Sequence, residues 1–225
     1  MNVANFKKMD VNRINSDRTL GGCARVIRCL ILPVWLVVTG LFSGVAVAQE
    51  HPAQETVVSA VNKVLNDLKT FEDQVQDKPE LLDQTIETNI VPNLDFSMMT
   101  RLSVGKSWRK ASQDQKSELV TEFKTFLLNT YSSALKEYGG EEISFKPYKK
   151  NKRDDRAVVD SIFQLGSSKV PVTYKLHNRS GPWLVYDIVV SDLSLVLQYK
   201  SSFGNEIDRN GIEGLINLLK KRTSA

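Results

Sequence analysis

From residue 52 onward, apolar and polar positions first alternate with the period of an α-helix. Apolar side chains recur at steps of three and four from Val57 to Phe71, which predicts an amphipathic helix. Asp77 and Pro79 are typical of a helix start and Pro92 of a helix end, so a second helix is expected between them. The pattern therefore predicts two consecutive helices.

Two further helices follow with the same period. Asp95 is suited to cap a short third helix that ends at Gly105. Ser112 and Gln115 have the spacing of a capping box, and they open the longest apolar-periodic segment of the chain. The glycine pair at 139–140 is expected to end this fourth helix.

Beyond residue 140 the period changes to two, which is typical of strands. The alternation predicts four strands, at residues 143–145, 157–165, 170–176 and 183–190. Their short connections indicate an antiparallel meander, and two helices at 201–209 and 212–221 are expected to follow it. The predicted fold is therefore α+β, with a helical layer packed on a curved antiparallel four-stranded sheet.

Residues 185–203 hold more apolar side chains than one strand and one helix face need for packing. Alternation places Tyr186 and Ile188 on one face of the fourth strand and Val185 on the other. The apolar run that follows the strand consists of Leu193, Leu195, Val196, Leu197 and Tyr199. Such a surplus either fills a dense core or lines an apolar cavity between helices and sheet, and the pattern leaves both open.

The first 48 residues have the three parts of a secretory signal peptide. Arg25 and Arg28 precede an apolar run from residue 30 to residue 42, and Ala46 and Ala48 form an A-x-A end. We expect cleavage after Ala48, which gives a signal peptide at 1–48 and a single exported domain at 49–225. The alternative is an uncleaved membrane anchor, since the run is nearly long enough to span a bilayer.

Removal of the leader changes the charge of the protein. Residues 1–48 contain six of the 30 basic and two of the 26 acidic residues, which leaves 24 of each in residues 49–225. The balanced charge gives no indication of nucleic-acid binding. Both cysteines, Cys23 and Cys29, lie in the leader, so no disulfide is expected in the domain.

Candidate chemistry is sparse. The two histidines, His51 and His177, are too few for the usual zinc sites, and no G-x-S-x-G motif is present. Asp187, within an apolar strand, is either an acid/base group or a hydrogen-bonded structural carboxylate. A basic run from Lys149 to Arg153 is either a solvated loop or a contact for anionic headgroups or an acidic partner.

Six segments together resemble one known family. They are residues 104–115 (VGKSWRKASQDQ), 123–131 (FKTFLLNTY), 170–174 (VPVTY), 183–187 (WLVYD), 194–203 (SLVLQYKSSF) and 211–216 (GIEGLI). In this order they resemble the periplasmic phospholipid-binding proteins of the Mla pathway, the MlaC or toluene-tolerance family. The chain departs from the family where Lys124 and Lys200 stand in place of Arg, and where Ser191 and Asp192 stand in place of Glu-Gly.

The resemblance implies a monomeric periplasmic carrier of NTF2-like shape, without catalysis or cofactor, that holds a phospholipid as cargo in an apolar cavity. Its implied partners are an inner-membrane ABC-transporter complex and an outer-membrane lipoprotein complex of the Mla pathway. The expected pocket residues are Val104, Phe123, Leu127, Tyr131, Phe163, Val172, Tyr174, Tyr186, Leu193, Leu195, Val196, Tyr199 and Phe203. Two alternatives remain, namely a periplasmic enzyme with Asp187 as base and a periplasmic interaction protein with a filled core.

Overall fold

The computed structural model describes residues 50–71, 78–136, 140–179 and 181–223, in which helices both precede and follow a meander of strands. The helices are α1 (Pro52–Thr70), α2 (Pro79–Thr85), α3 (Phe96–Val104), α4 (Gln113–Lys136) and α5 (Leu195–Thr223). A π-helical turn (Ile86–Ile90) and a 3₁₀ turn (Val91–Asn93) follow α2, and a 3₁₀ turn (Gly105–Arg109) follows α3. The strands are β1 (Ile143–Phe145), β2 (Arg156–Leu165), β3 (Ser168–His177), β4 (Leu184–Val190) and β5 (Leu193–Ser194). The predicted α+β class is confirmed.

Two predicted helix starts are confirmed by their hydrogen bonds. The Asp95 carboxylate accepts a bond from the Met98 N–H at 2.8 Å, as an N-cap should. The Ser112 hydroxyl accepts from the Gln115 N–H and the Gln115 side chain accepts from the Ser112 N–H, both at 3.1 Å. The predicted cap at Asp77 and the expected stop at residue 139 lie outside the described residues.

The sheet is an antiparallel meander in the order β1-β2-β3-β4-β5. The prediction of four strands is corrected to five, because the chain turns back at Ser191 and Asp192 and pairs Leu193 with Val190. Both turn residues have positive φ, 47° and 68°. That conformation closes a two-residue hairpin but is usually signalled by Gly or Asn, which this turn lacks.

A β-bulge changes which face of β4 each side chain occupies. Asp187 pairs with Lys175 but Val185 pairs with Leu176, so Tyr186 is the extra residue. The prediction that Tyr186 and Ile188 share a face is therefore wrong. Tyr186 instead contacts His177 and Arg156, whereas Val185 packs in the same apolar cluster as Tyr174 and Ile188.

The expected pair of C-terminal helices is confirmed as two helical parts of α5 joined at the non-helical Gly211, but the first part begins earlier than predicted. Helix α5 begins at Leu195, six residues before the predicted start, and bends at Gly211, whose φ and ψ are 72° and −176°. The early start follows from Ser194, whose hydroxyl accepts a bond from the Leu197 N–H at 3.2 Å. Within the described ranges, none of the helices combines the length and hydropathy that a membrane span needs.

The buried apolar side chains form three clusters. The helical cluster consists of Phe96, Met99, Val104, Leu119, Phe123, Phe126, Leu127, Val196, Phe203, Leu215, Ile216 and Leu219. The sheet cluster consists of Ala53, Val57, Ala157, Val159, Val172, Tyr174, Leu176 and Val185. The α1–α2 cluster consists of Val64, Leu68, Leu82 and Ile86. Leu94 packs against both the helical and the sheet cluster, and it pairs with Val185 at the edge of β4.

Candidate functional site

The helical cluster contains one half of the predicted pocket. Phe123 of α4 is fully buried, and its ring centroid lies 5.1 Å from that of Phe203 and 5.2 Å from that of Tyr199. Both pairs have the edge-to-face geometry that aromatic rings favour. Val104, Leu127 and Val196, also predicted for the pocket, are buried in the same cluster, and Leu195 and Tyr199 pack against it.

Two tyrosines mark the place where the helical cluster reaches solvent. Tyr131 is 42% exposed, and its hydroxyl lies 3.4 Å from the hydroxyl of the half-buried Tyr199. Burial, followed by the hydrogen bond to Tyr131, raises the pKa of Tyr199 well above its usual range. The Tyr199 phenol is therefore neutral at physiological pH, and the two hydroxyl groups are polar atoms beside an apolar interior.

The sheet half of the predicted pocket lies in a different cluster. Val172 and Tyr174 are buried and Phe163 is half-buried, and all three pack with α1 in the sheet cluster. Tyr186 does not join them, since the bulge directs it to His177 and Arg156. The structure thus places ten of the thirteen predicted residues in or against two clusters that meet at Leu94, and Tyr131, Tyr186 and Leu193 lie outside both.

The segment after β4 is less buried than expected. Leu193 is 71% exposed and Leu197 is 61% exposed, whereas Val196 is buried and Leu195 is half-buried. Because this segment starts a helix, only one side of it faces the helical cluster. Leu193 lies outside the apolar clusters, and its assignment to the pocket remains a prediction without contacts to support it.

Asp187 lies where the sheet meets α5. The residue is 4% exposed, and its carboxylate accepts hydrogen bonds from Lys175 Nζ at 2.9 Å, from the Ser194 hydroxyl at 2.8 Å and from the Val196 N–H at 3.2 Å. These three donors satisfy the buried charge. The structure therefore shows the hydrogen-bonded structural carboxylate, one of the two interpretations drawn from the sequence.

A second polar link, which the sequence did not predict, joins the sheet to α3. His177 is buried, and its Nδ1 accepts a bond from the Arg179 N–H at 3.3 Å, so its Nε2 carries the hydrogen donated to Asp95 at 2.7 Å. Asp95 had a local signal as a helix cap. Its pairing with a histidine 82 residues later had none.

Sites of other kinds find little support in the described residues. They contain no group of three or more His, Cys, Asp or Glu side chains placed to hold a metal ion. One open cleft of about 570 Å³ lies beside Trp108 and Val120, and another of about 370 Å³ lies beside Pro52 and Trp183. Neither cleft is lined by a residue predicted for the pocket.

Comparisons with known proteins connect this architecture to lipid-binding proteins. The family model described as MlaC protein matches residues 58–221. The toluene tolerance protein ttg2D of Pseudomonas putida is 25% identical over 177 residues, which cover 78% of this chain and 82% of that protein. The intermembrane phospholipid transport system binding protein MlaC of Haemophilus influenzae is 21% identical over 189 residues, which cover 82% of this chain and 87% of that protein.

A solved structure gives a likeness at the level of the fold. It is the phospholipid-binding protein from Ralstonia solanacearum in complex with a phospholipid. The TM-score is 0.71 with 31% sequence identity, and the alignment covers 77% of this chain and 98% of that one.

Proposed function

The chain belongs to the MlaC family, and we propose that it is a periplasmic carrier that binds phospholipid and shuttles it between the outer- and inner-membrane complexes of the Mla pathway. The observation that carries this proposal is the match to a protein whose structure was solved with a phospholipid bound, over 98% of that protein's length. The proposed role is binding and transport rather than catalysis. The proposed location requires export and cleavage after Ala48, and the intact mass of periplasmic material tests both.

The physical need for such a carrier follows from the cost of exposing acyl chains to water. Each methylene group contributes about 0.8 kcal/mol, so two long chains cost on the order of 20 kcal/mol to expose. A carrier must therefore enclose the chains, while the charged headgroup stays at the mouth of the pocket.

We place the acyl chains at the boundary between the helical and the sheet cluster, next to Leu94. Both clusters are apolar there, and predicted pocket residues lie on either side, with Phe123 and Val196 in one cluster and Val172 in the other. The polar links of Asp95 with His177 and of Asp187 with Val196 join the sheet to α3 and α5. These links keep the sheet attached to α3 and α5 when the helical and the sheet cluster separate around a ligand.

The proposal is tested by organic extraction and mass spectrometry of protein purified without detergent. We expect phospholipid in about stoichiometric amount. Val172→Asp and Leu195→Asp should each lose the lipid but still fold, because a carboxylate against acyl chains would be desolvated without a partner, at a cost of several kcal/mol.

Val64→Asp is the matched control, since Val64 is buried in the α1–α2 cluster and belongs to neither of the two clusters at the proposed boundary. It should lower the free energy of unfolding while the folded fraction keeps its lipid. Retention of lipid by both pocket variants would place the acyl chains elsewhere. A wild-type extract without lipid would instead favour a periplasmic interaction protein with a filled core.

A further inference from the structure

A group of exposed basic side chains lies at one end of the sheet. Lys146, Lys149, Lys150, Lys152 and Arg153 are all exposed on the loop between β1 and β2. Arg179, in the turn between β3 and β4, lies at the same end, because Asp155 accepts hydrogen bonds from Arg153 at 2.8 Å and from Arg179 at 3.3 Å. We call these six residues the basic end.

The basic end is positively charged because basic residues are concentrated there, although the domain as a whole has a balanced charge. Residues 49–225 contain equal numbers of basic and acidic residues. This loop and turn, in contrast, contain six basic residues and only two acidic ones, Asp154 and Asp155. The neighbouring start of α1 contributes Glu50 and Glu55, which still leaves the cations in excess. A local field of one sign persists at this end of a balanced domain.

The loop is held in place at its base. The Tyr148 ring stacks on His51 with a centroid distance of 4.1 Å, and the Lys146 N–H donates to the Asp160 carbonyl at 2.9 Å. The lysines between these contacts and β2 therefore project from a base fixed to both α1 and the sheet.

The basic residues that remain available are lysines. Arg153 already forms a two-pronged pair with Asp155, at 2.9 and 2.8 Å. Among the described residues, the side chains of Lys146, Lys149 and Lys152 have no hydrogen bond or ion pair, and Lys150 has only a long, exposed ion pair with Asp154 at 3.9 Å. Lysine acts as a flexible point charge, which suits laterally mobile anionic headgroups better than the fixed carboxylates of a protein surface, where the arginine fork is favoured.

We propose that the basic end docks the protein onto a membrane surface of anionic phospholipid. This inference goes beyond the carrier function, which it uses only as the reason why the protein meets a lipid surface. The membrane contact involves the outer tip of the sheet, and cargo binding involves the apolar interior, so the two activities are separable by mutation.

The test is co-sedimentation of the lipid-loaded protein with vesicles. Vesicles that contain phosphatidylglycerol should bind the wild type, vesicles of phosphatidylcholine alone should not, and added salt should weaken the binding because exposed charges are screened. The triple variant Lys149→Glu/Lys150→Glu/Lys152→Glu should bind phosphatidylglycerol vesicles at least about tenfold more weakly than the wild type. Its extracted phospholipid should equal that of the wild type, which separates this result from a failure of the carrier proposal.

A matched control reverses the charge of three exposed lysines outside the basic end, by substitution of Lys63, Lys106 and Lys110 with Glu. It carries the same net charge as the test variant, and its vesicle binding should stay within about twofold of the wild type if position decides. Equal loss in both triple variants would show that only net charge matters and would overturn the proposal. Absence of wild-type binding to phosphatidylglycerol would also overturn it, and an acidic protein would then be the partner to seek.

Discussion

Asp187 shows how one buried side chain joins several elements. Its donors come from Lys175 of β3, from Ser194 of β5 and from the first turn of α5. Because Ser194 also caps α5, the carboxylate fixes the angle at which this helix leaves the sheet. That angle sets the relative position of the helical and the sheet cluster.

Asp187→Asn should destabilise the protein without removing its lipid. The amide brings N–H donors towards groups that are already donors and leaves Lys175 without its ion pair, at a cost of about 1–3 kcal/mol in the free energy of unfolding. Urea unfolding and extracted phospholipid per folded protein measure the two effects, with the exposed Asp192→Asn as control. Unchanged stability together with lost function would instead support the alternative in which Asp187 is a catalytic base.

His51 should make the stability of the protein depend on pH. Its Nδ1 accepts a bond from the Ala53 N–H at 3.2 Å, and burial lowers its pKa below the ordinary value of 6.5. The unfolded chain therefore binds a proton at higher pH than the folded protein does. Its contribution to stability should be present above about pH 6.5 and lost as the pH falls through the lower folded pKa.

Thermal unfolding as a function of pH measures this effect against His51→Asn, which keeps a side-chain acceptor at the cap but does not titrate. The loss of stability of the wild type below pH 6.5 should be steeper than that of the variant. Parallel curves would show that other groups cause the pH dependence.

At the scale of elements, the bend of α5 depends on a glycine. Gly211 has φ 72° and ψ −176°, a region essentially restricted to glycine, and it redirects the chain so that both parts of α5 contribute to the helical cluster. Gly204 lies in a regular helical turn of the same element, and a Cβ at either glycine would meet open space. The two positions therefore differ in backbone conformation and not in crowding.

This pair makes a controlled prediction for urea unfolding. Gly211→Ala should lower the free energy of unfolding by about 1–3 kcal/mol, because alanine disfavours that backbone conformation. Gly204→Ala should raise it by about 0.5–1 kcal/mol, because alanine is the better helix former. Equal effects of the two substitutions would show that the bend at Gly211 does not constrain the fold.

Elements with complete local signals could be predicted from the sequence. The caps at Asp95 and Ser112 lie within three residues of the groups they bind, so their spacing alone identifies them. The bulge at Tyr186 and the turn at Ser191 and Asp192 could not be predicted in this way. The bulge depends on the register with β3, and the turn uses positive φ at residues other than glycine.

At the scale of the whole molecule, the sequence identifies which side chains are apolar but not which cluster each one joins. The sequence predicts both Phe123 and Val172 for the pocket, and both are buried. Their separation into two clusters follows from the path of the chain through Leu94 and from the polar links at Asp95 and Asp187, which are long-range contacts. Local periodicity carries no information about such contacts.

The position of the boundary leads to a prediction for hydrogen exchange. A phospholipid held between the helical and the sheet cluster binds the folded state, and it should suppress the opening motions that separate those clusters. Delipidation should therefore speed amide exchange in β4 and at residues 195–203 of α5, which border the boundary. The amides of α1 near Val64 and Leu68 are the internal control, because the α1–α2 cluster does not line the proposed pocket and should exchange at unchanged rates. Exchange that rises uniformly would indicate global destabilisation, and faster exchange only at Val64 and Leu68 would move the lipid site to the α1–α2 cluster.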